Sequence, residues 1–368
     1  MILYLTVAAG TVLIACMVHS RPLVQPYMVT RQQMCNRVCL LIIFLVLFLL
    51  SALRQNVGND YAKYVEFMHL VNCDSYVPTE AGFNLLVKIL YGLSGYENYL
   101  LVFAVYAFAT IFLFLLAIYE QSDEFPLTFF LFMALGYYFQ SFSTVRYYLA
   151  LAAALYAMKF VIRKQWGRFI LLAALGSLFH KSLLVILPLY FMASLTWKWW
   201  QLTLAGLFCT TFLFFQEFYL QVVVFLYSTY EETEYLEGGT SYINIMRCAA
   251  VLVFSLFYYR KKIRGNRRMQ FYFYLNLGAL ALYVFCSFLP IISRIGYYLT
   301  ISHIFFLPAL LRETENEKWR KLLKAGIIAA AVCYFAVYMR RAYDDGTRIL
   351  PYQSFLFHDM VDILSDRN

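Results

Sequence analysis

Long apolar runs recur along this chain from its first residues to Met339, separated by short polar segments. A helix needs about 20 apolar residues to cross a lipid bilayer, and many of these runs approach that length. Within the bilayer the backbone polar groups must be satisfied inside the segment, so helices are the expected structure. The pattern predicts a chain that crosses a membrane many times and has no separate soluble domain.

Composition supports this class and excludes others. Residues of the set AVILMFWYC make up 62% of the 368 positions, more than a soluble core needs, and charged residues make up 14%. The net charge of +9 does not indicate nucleic acid binding, because the positive residues cluster between apolar runs, where membrane topology explains them.

Motifs for cofactors are not apparent in the sequence. It contains no Gly-rich phosphate loop, no GxGxxG and no DxD pair, so we do not expect nucleotide-driven chemistry. The eight cysteines lack the spacing of zinc or haem sites. We therefore expect no cofactor and no metal, and interpret the cysteines as small apolar side chains.

The expected fold is an all-α polytopic membrane protein with about 12 transmembrane helices (range 10 to 12). Their expected bounds are Ile2–Val18, Val38–Leu53, Asn98–Tyr119, Pro126–Phe142, Tyr147–Ile162, Phe169–Phe179, Lys181–Leu195, Gln201–Phe215, Ile243–Tyr259, Gln270–Leu289, Arg294–Leu311 and Leu322–Met339. The helix Phe169–Phe179 is short, so a half-crossing with a re-entrant turn is an alternative. The segment Phe83–Leu93 is apolar enough to lie in the interface, but we do not count it as spanning.

Basic segments set the orientation. Cytoplasmic loops of membrane proteins are enriched in Lys and Arg. Four strongly basic loops fall on one side of the predicted helices, at about residues 21–37, 163–168, 260–268 and 312–324. The predicted extracytoplasmic parts are then both termini, the loops of about residues 54–97 and 216–242, and a tail of about residues 340–368.

Positive side chains at the predicted outer helix ends are the first candidates for chemistry. They are Arg54, Arg146, Lys181, Arg247 and Arg294. Each by itself is compatible with a snorkelling side chain, but a group of guanidinium ions is suited to binding phosphate by forked hydrogen bonds. The set predicts a substrate with a lipid diphosphate.

A hairpin from Phe139 to Pro188 returns Arg146 and His180 to the same predicted surface. An imidazole titrates near neutral pH, so His180 is the first candidate for general base, with Asp60 as the alternative. Glu80 is a weaker candidate. Tyr61 and Tyr64 belong either to sugar packing or to an interfacial belt. We treat His19, His69, His303 and His358 as incidental.

These residues resemble the EpsG-type branch of the Wzy-like bacterial polysaccharide polymerases. The resemblance rests on four motifs and a tail element. They are Arg54 with Gly58-Asn-Asp60-Tyr61-x-x-Tyr64, Glu80-x-Gly82-Phe83, Arg146 opening an alanine-rich helix, Phe179-His180-Lys181-Ser182, and Ile349-Leu-Pro351-Tyr352.

The resemblance implies a glycosyltransferase of the bacterial inner membrane with a GT-C-like fold. It would join oligosaccharide repeat units carried on undecaprenyl diphosphate at the extracytoplasmic face, for capsule, exopolysaccharide or O-antigen, without metal or nucleotide. The expected partners are the lipid-linked oligosaccharide, the bilayer, and a flippase and chain-length regulator of the same pathway, but no nucleic acid. His180 or Asp60 would take the acceptor proton, and Arg54, Arg146 and Arg294 would hold the diphosphate, with Arg247 and Lys181 as secondary candidates.

Three alternatives remain at this point. A flippase or exporter of lipid-linked oligosaccharide would also need cationic sites, but across the depth of the membrane. An O-antigen ligase differs chiefly in its acceptor. A membrane acyltransferase would need an acyl carrier site, and no such motif is visible.

Overall fold

The computed structural model of the protein describes residues 1–20, 29–226, 241–289, 292–344 and 346–358. Within these residues the secondary structure is helical. The helices are α1 (Ile2–Ala15), α2 (Arg31–Ala52), α3 (Tyr61–Asn72), α4 (Ala81–Ser94), α5 (Tyr99–Gln121), α6 (Phe125–Ala134), α7 (Tyr137–Gln140), α8 (Val145–Ile162), α9 (Trp166–Ser177), α10 (Ile186–Ala193), α11 (Trp199–Phe214), α12 (Gln216–Leu226), α13 (Tyr242–Tyr258), α14 (Arg267–Phe285), α15 (Ile292–Thr300), α16 (His303–Arg312) and α17 (Glu317–Arg340). Short 3-10 turns, Lys181–Val185 and Arg341–Tyr343, and a π turn, Tyr259–Ile263, join or extend them.

Six helical segments of the described chain are long and apolar enough to cross a membrane. They are Arg31–Ala52, Tyr99–Gln121, Val145–Ile162, Tyr242–Ile263, Ile292–Arg312 and Glu317–Tyr343. Further apolar helices, α1, α4, α6, α9 and α11 among them, are shorter. The prediction of an all-α polytopic membrane protein is confirmed.

Two predicted helices are interrupted in the structure. The prediction of one continuous helix over Pro126–Phe142 is wrong, because α6 ends at Ala134 and Gly136 adopts a left-handed conformation with φ of 78° before α7 begins. Only glycine takes that conformation at little cost. The predicted helix Arg294–Leu311 is likewise divided, since a turn at Ile301 and Ser302 separates α15 from α16.

The predicted outer loop of residues 54–97 contains two helices, α3 and α4. Both present apolar faces to α5. Tyr64, Met68, Phe83, Val87 and Val102 are among the residues buried in their common core, and Phe179 packs against it. Because about 25 cal/mol per Å² is gained on burying apolar surface, this core holds α3 and α4 as ordered parts of the fold.

The chain divides into two compact units. The first unit comprises Met1–Ala157, Ile170–Leu184 and Thr314–Asn368. In it α2 packs along α5, where the ring of Phe108 meets Phe44 and Phe48 edge-on. The segment of residues 347–355 returns to the end of α2, where Gln55 donates a backbone hydrogen bond to Gln353 over 3.0 Å. We call residues 347–355 the return segment.

The second unit comprises Met158–Phe169 and Val185–Glu313. Its central helix is α14, which contacts α10, α11, α13, α15 and α16. Asn276 of α14 is fully buried. Its Oδ1 accepts a 2.8 Å hydrogen bond from His303 Nε2, and its Nδ2 donates a 3.1 Å hydrogen bond to the carbonyl of Cys248. The predicted outer segment 216–242 begins with α12, and its residues 227–240, like residues 359–368 of the predicted tail, lie outside the described residues.

Candidate functional site

Glu80 joins the starts of three helical elements in the first unit. It immediately precedes α4, Arg146 is the second residue of α8, and His180 immediately precedes the 3-10 turn Lys181–Val185. Arg146 Nη1 donates a short hydrogen bond to Glu80 Oε2. His180 Nδ1 lies 3.3 Å from Glu80 Oε1, and the backbone N–H of Lys181 donates to the same oxygen over 3.0 Å. We call Glu80, Arg146, His180 and Lys181 the Glu80 cluster.

Helix electrostatics explain why a carboxylate belongs at this position. The unpaired N–H groups at a helix start favour negative charge and disfavour positive charge. Glu80 lies at the start of α4 and also accepts from the first N–H of the 3-10 turn. It therefore offsets the positive charge that Arg146 places at the start of α8.

A close backbone approach fixes the geometry of the cluster. Gly82 donates its N–H to the carbonyl of Leu178 over 2.8 Å, which brings the start of α4 against the end of α9. A Cβ atom on Gly82 would stand 2.6 Å from the oxygen of Leu178. Only glycine fits at this distance, so Gly82 sets how far Glu80 lies from His180.

Aromatic rings surround the charged groups. The Arg146 guanidinium lies over Tyr64 and Phe83, 5.5 and 5.2 Å from the ring centroids. Tyr147 presents its ring edge-on to the imidazole of His180 at 5.7 Å. Stacking of this kind holds a guanidinium in one orientation and leaves its N–H groups at the edge for hydrogen bonding.

Three side chains of the Glu80 cluster are largely buried but remain partly accessible to solvent. The side chains of Arg146, Glu80 and His180 are 12, 13 and 14% exposed. Arg146 Nε is buried and has no hydrogen-bond partner among the described residues. The guanidinium as a whole is still partly accessible, and a positive group of this kind is suited to receive an anionic ligand.

The charge state of Glu80 follows from its partners. Burial by itself raises its pKa, but the interactions with His180, with the Arg146 charge and with the Lys181 N–H outweigh burial and lower the pKa to about 2. Glu80 is therefore ionised at neutral pH and is too weak a base to take a proton there. What it can do is hold the His180 ring and the Arg146 guanidinium in place, which leaves proton transfer to the imidazole.

Arg54, a predicted diphosphate ligand, lies in a different environment in the same unit. It is 1% exposed, donates through Nη1 to the carbonyl and the hydroxyl of Ser51, and lies over the rings of Phe103 and Phe142 at 5.3 and 5.0 Å. The return segment covers it, with Arg54 and Ser354 forming an isolated β-bridge. These contacts are those of a residue that closes the end of α2.

The predicted site residues Asp60, Tyr61 and Tyr64 lie in different environments. Asp60 directly precedes α3, and its side chain makes no helix-capping hydrogen bond. Tyr61 is 1% exposed and stacks on Phe103 with centroids 4.4 Å apart. Tyr64 is 7% exposed and lies beneath Arg146. Tyr64 thus belongs to the packing of the Glu80 cluster, and Tyr61 to the packing around Arg54.

Two further predicted cations belong to the second unit. Arg294 is exposed near the start of α15. Arg247 lies on α13, where its charge interacts with the fully buried His303. Sequence reasoning treated His303 as incidental, whereas the structure gives it a hydrogen bond with Asn276.

The central place of Glu80 was underestimated from the sequence. The signal was present in Glu80-x-Gly82-Phe83, because all three residues of that motif contribute: the carboxylate, the close backbone approach and the ring beneath Arg146.

Comparison with known proteins gives one family. The model of the EpsG family matches residues 37–354, which includes every residue of the Glu80 cluster. No curated protein and no solved structure matches the chain.

Proposed function

The chain belongs to the EpsG family, and we propose that it joins lipid-diphosphate-linked oligosaccharide repeat units. Membership of this family supports a polysaccharide polymerase-type role and glycosyltransferase activity in general. The observation that carries this proposal is the Glu80 cluster. It places one imidazole, one carboxylate and one partly accessible arginine together at the starts of helical elements.

In the proposed reaction the acceptor hydroxyl oxygen attacks the anomeric carbon of the donor sugar. The bond between that carbon and the diphosphate oxygen breaks, and the lipid diphosphate leaves with the electron pair. His180 Nε2 takes the proton of the hydroxyl, while Glu80 faces Nδ1 and favours the imidazolium that forms. Atoms and charge balance without an external oxidant or reductant.

Arg146 and Lys181 hold the leaving diphosphate in this proposal. Charge accumulates on the diphosphate as the bond breaks, and positioned positive groups stabilise that charge more than the ground state. Arg146 keeps its orientation through Glu80, Tyr64 and Phe83 while offering its remaining N–H groups. Asp60 stays the alternative base, and Arg294 and Arg247 stay candidate residues for substrate binding. Burial makes Arg54 more suitable for a structural role.

The setting of the reaction is also a proposal. With the basic loops in the cytoplasm, the Glu80 cluster lies at the extracytoplasmic face of a bacterial inner membrane, and both termini lie on that face. The lipid would be undecaprenyl diphosphate, and the product a capsule, exopolysaccharide or O-antigen. A flippase and a chain-length regulator of the same pathway are the expected partners.

Two related functions use similar substrates. An O-antigen ligase shares the chemistry and differs in its acceptor. A flippase needs cationic contacts through the membrane depth, whereas Arg146, His180 and Lys181 meet at helix starts, which favours an enzyme.

Deletion of the gene tests the proposal, with complementation by the wild-type chain, Arg146→Ala or His180→Ala and sizing of the surface glycan. A polymerase defect leaves single lipid-linked repeats at the outer face. Accumulation of repeats at the cytoplasmic face would contradict the proposal and support a flippase, and full polymerisation by both variants would remove the Glu80 cluster from the reaction.

A further inference from the structure

Three side chains of the kind that ligate transition metals meet at the far end of α3, outside the Glu80 cluster. His69 and Cys73 are four residues apart at the C-terminal end of α3, so they share one helix face. Glu97 comes from the turn before α5. One ligand atom from each residue lies within 4.8 Å of the other two.

The imidazole of His69 lies between the other two groups. His69 Nδ1 is 2.9 Å from Glu97 Oε2, and His69 Nε2 is 3.8 Å from Cys73 Sγ. Zinc bonds of about 2.0 to 2.3 Å in tetrahedral geometry put neighbouring ligand atoms about 3.5 Å apart. Since one ligand atom of each residue already lies within 4.8 Å of the other two, side-chain rotations that turn one imidazole nitrogen towards the ion bring all three residues to it.

The donor set selects the class of metal. Thiolate, imidazole and carboxylate together are ligands of Zn²⁺, whereas Mg²⁺ and Ca²⁺ prefer oxygen ligands alone. Asn72 donates a 2.8 Å hydrogen bond to Glu97 Oε1 and so orients the carboxylate. Asn72 and Glu97 also line an open cavity of about 430 Å³, which leaves room for a water molecule as the fourth ligand.

We propose that His69, Cys73 and Glu97 bind Zn²⁺, with water in the fourth position. The Cys73 thiol gives up its proton to solvent when the thiolate binds the ion. The ion then ties the C-terminal end of α3 to the turn between α4 and α5. Because α3 carries Tyr64 beneath Arg146 nearer its start, the site secures a helix that packs against the Glu80 cluster. The proposal does not depend on the proposed function.

The test is alkylation of Cys73 in the full-length chain purified in detergent and freed of metal with a chelator. The rate of modification by N-ethylmaleimide is read at the Cys73 peptide by mass spectrometry, with and without added ZnCl₂. Cys73 is exposed, so it reacts in the metal-free protein. With Zn²⁺ at about ten times its dissociation constant, the site is free about one tenth of the time, and the reaction slows about tenfold. MgCl₂ at the same concentration leaves the rate unchanged.

Variants distinguish a site of three ligands from the binding of zinc to the thiol alone. His69→Ala and Glu97→Gln each keep the thiol and should lose most of the protection. The matched control is Tyr76→Cys combined with Cys73→Ser, which moves the thiol three residues along to a position that is 90% exposed in the wild type, and zinc should not protect it. Equal rates with and without Zn²⁺ in the wild type, or undiminished protection in both ligand variants, would overturn the proposal and leave an ordinary ion pair between His69 and Glu97.

Discussion

Glu80 accepts a hydrogen bond from the backbone N–H of Lys181, 101 residues further along the chain. This contact, with the one from Arg146, makes a single carboxylate the meeting point of α4, α8 and the segment after α9. The fold thus brings the hydrogen-bond partners of this carboxylate together, although they are distant from it in the sequence.

The pH dependence of stability should report on Glu80. Its pKa is lowered from the ordinary 4.5 to about 2. A lowered pKa in the folded state means that the ionised group stabilises the fold above pH 4.5 and that this contribution is lost as the pH falls from 4.5 towards 2. Thermal unfolding in detergent across this range should show the loss in the wild type and a flatter curve in Glu80→Gln. Glu66→Gln, an exposed position on α3, should follow the wild type.

Replacement of His180 should affect catalysis more than folding. If its imidazole takes the acceptor proton, His180→Gln lowers the rate about a hundredfold or more and removes the acidic limb of the pH profile. A reconstituted assay with lipid-linked repeats measures both quantities. His19→Gln, which changes an exposed histidine, is the control and should keep the wild-type profile. An unchanged profile in His180→Gln would assign the proton to another group, Asp60 first.

Arg146 should not be replaceable by lysine. Lysine keeps the charge but loses the planar fork and the stacking on Tyr64 and Phe83. We expect Arg146→Lys to lower kcat about a hundredfold with a smaller change in KM, because the interaction strengthens as the diphosphate leaves. Steady-state kinetics give both values. Arg168→Lys, at an exposed arginine, should be neutral. A loss confined to KM would instead indicate ground-state binding alone.

Two glycines of α4 offer a matched pair. A Cβ on Gly82 would stand 2.6 Å from the carbonyl oxygen of Leu178, whereas one on Gly92 would have nothing within 4 Å. Gly82→Ala should cost about 1 to 3 kcal/mol and lower activity by moving Glu80 away from His180. Gly92→Ala should be neutral or stabilising by up to about 1 kcal/mol, since alanine favours helix. Thermal unfolding and the polymerisation assay on both variants check this, and equal behaviour of the two would contradict the packing described for Gly82.

Arg54 should prove more important for folding than for chemistry. Arg54→Lys removes the stacking on Phe103 and Phe142 and leaves the carbonyl of Ser51 poorly satisfied, at a cost of about 1 to 3 kcal/mol. Protein that still folds should retain polymerisation. A folded variant that has lost all activity would instead restore Arg54 to the diphosphate site.

The helices could be predicted from the sequence, because each segment that crosses a bilayer needs a long apolar run and must satisfy its own backbone polar groups. The family could be predicted because the short motifs lie within the residues that the EpsG family model matches. The hairpin also correctly related Arg146 to His180, which meet through Glu80. What sequence did not provide depends on distant partners. Glu80 gains its role from Arg146 and Lys181, which are 66 and 101 positions further along the sequence. A pattern of local hydrophobicity contains no information on such pairs.

The interruptions escaped prediction for a different reason. The break at Gly136 depends on a backbone conformation that an apolar window does not report, since the residues on both sides are as apolar as a continuous helix would need. The burial of Arg54 escaped it too, because the return segment that covers this residue lies almost at the other end of the sequence.

The return segment also constrains how the protein is made. Tyr4 donates to the carbonyl of Ile349, and Tyr352 to that of Leu50, pairs 345 and 302 residues apart. Contacts between such distant residues form late, because the intervening chain must first be synthesised and positioned. Arg54 therefore stays uncovered during synthesis until the return segment has left the ribosome. A chain that is truncated before Arg348 lacks this segment, and its Arg54 remains uncovered.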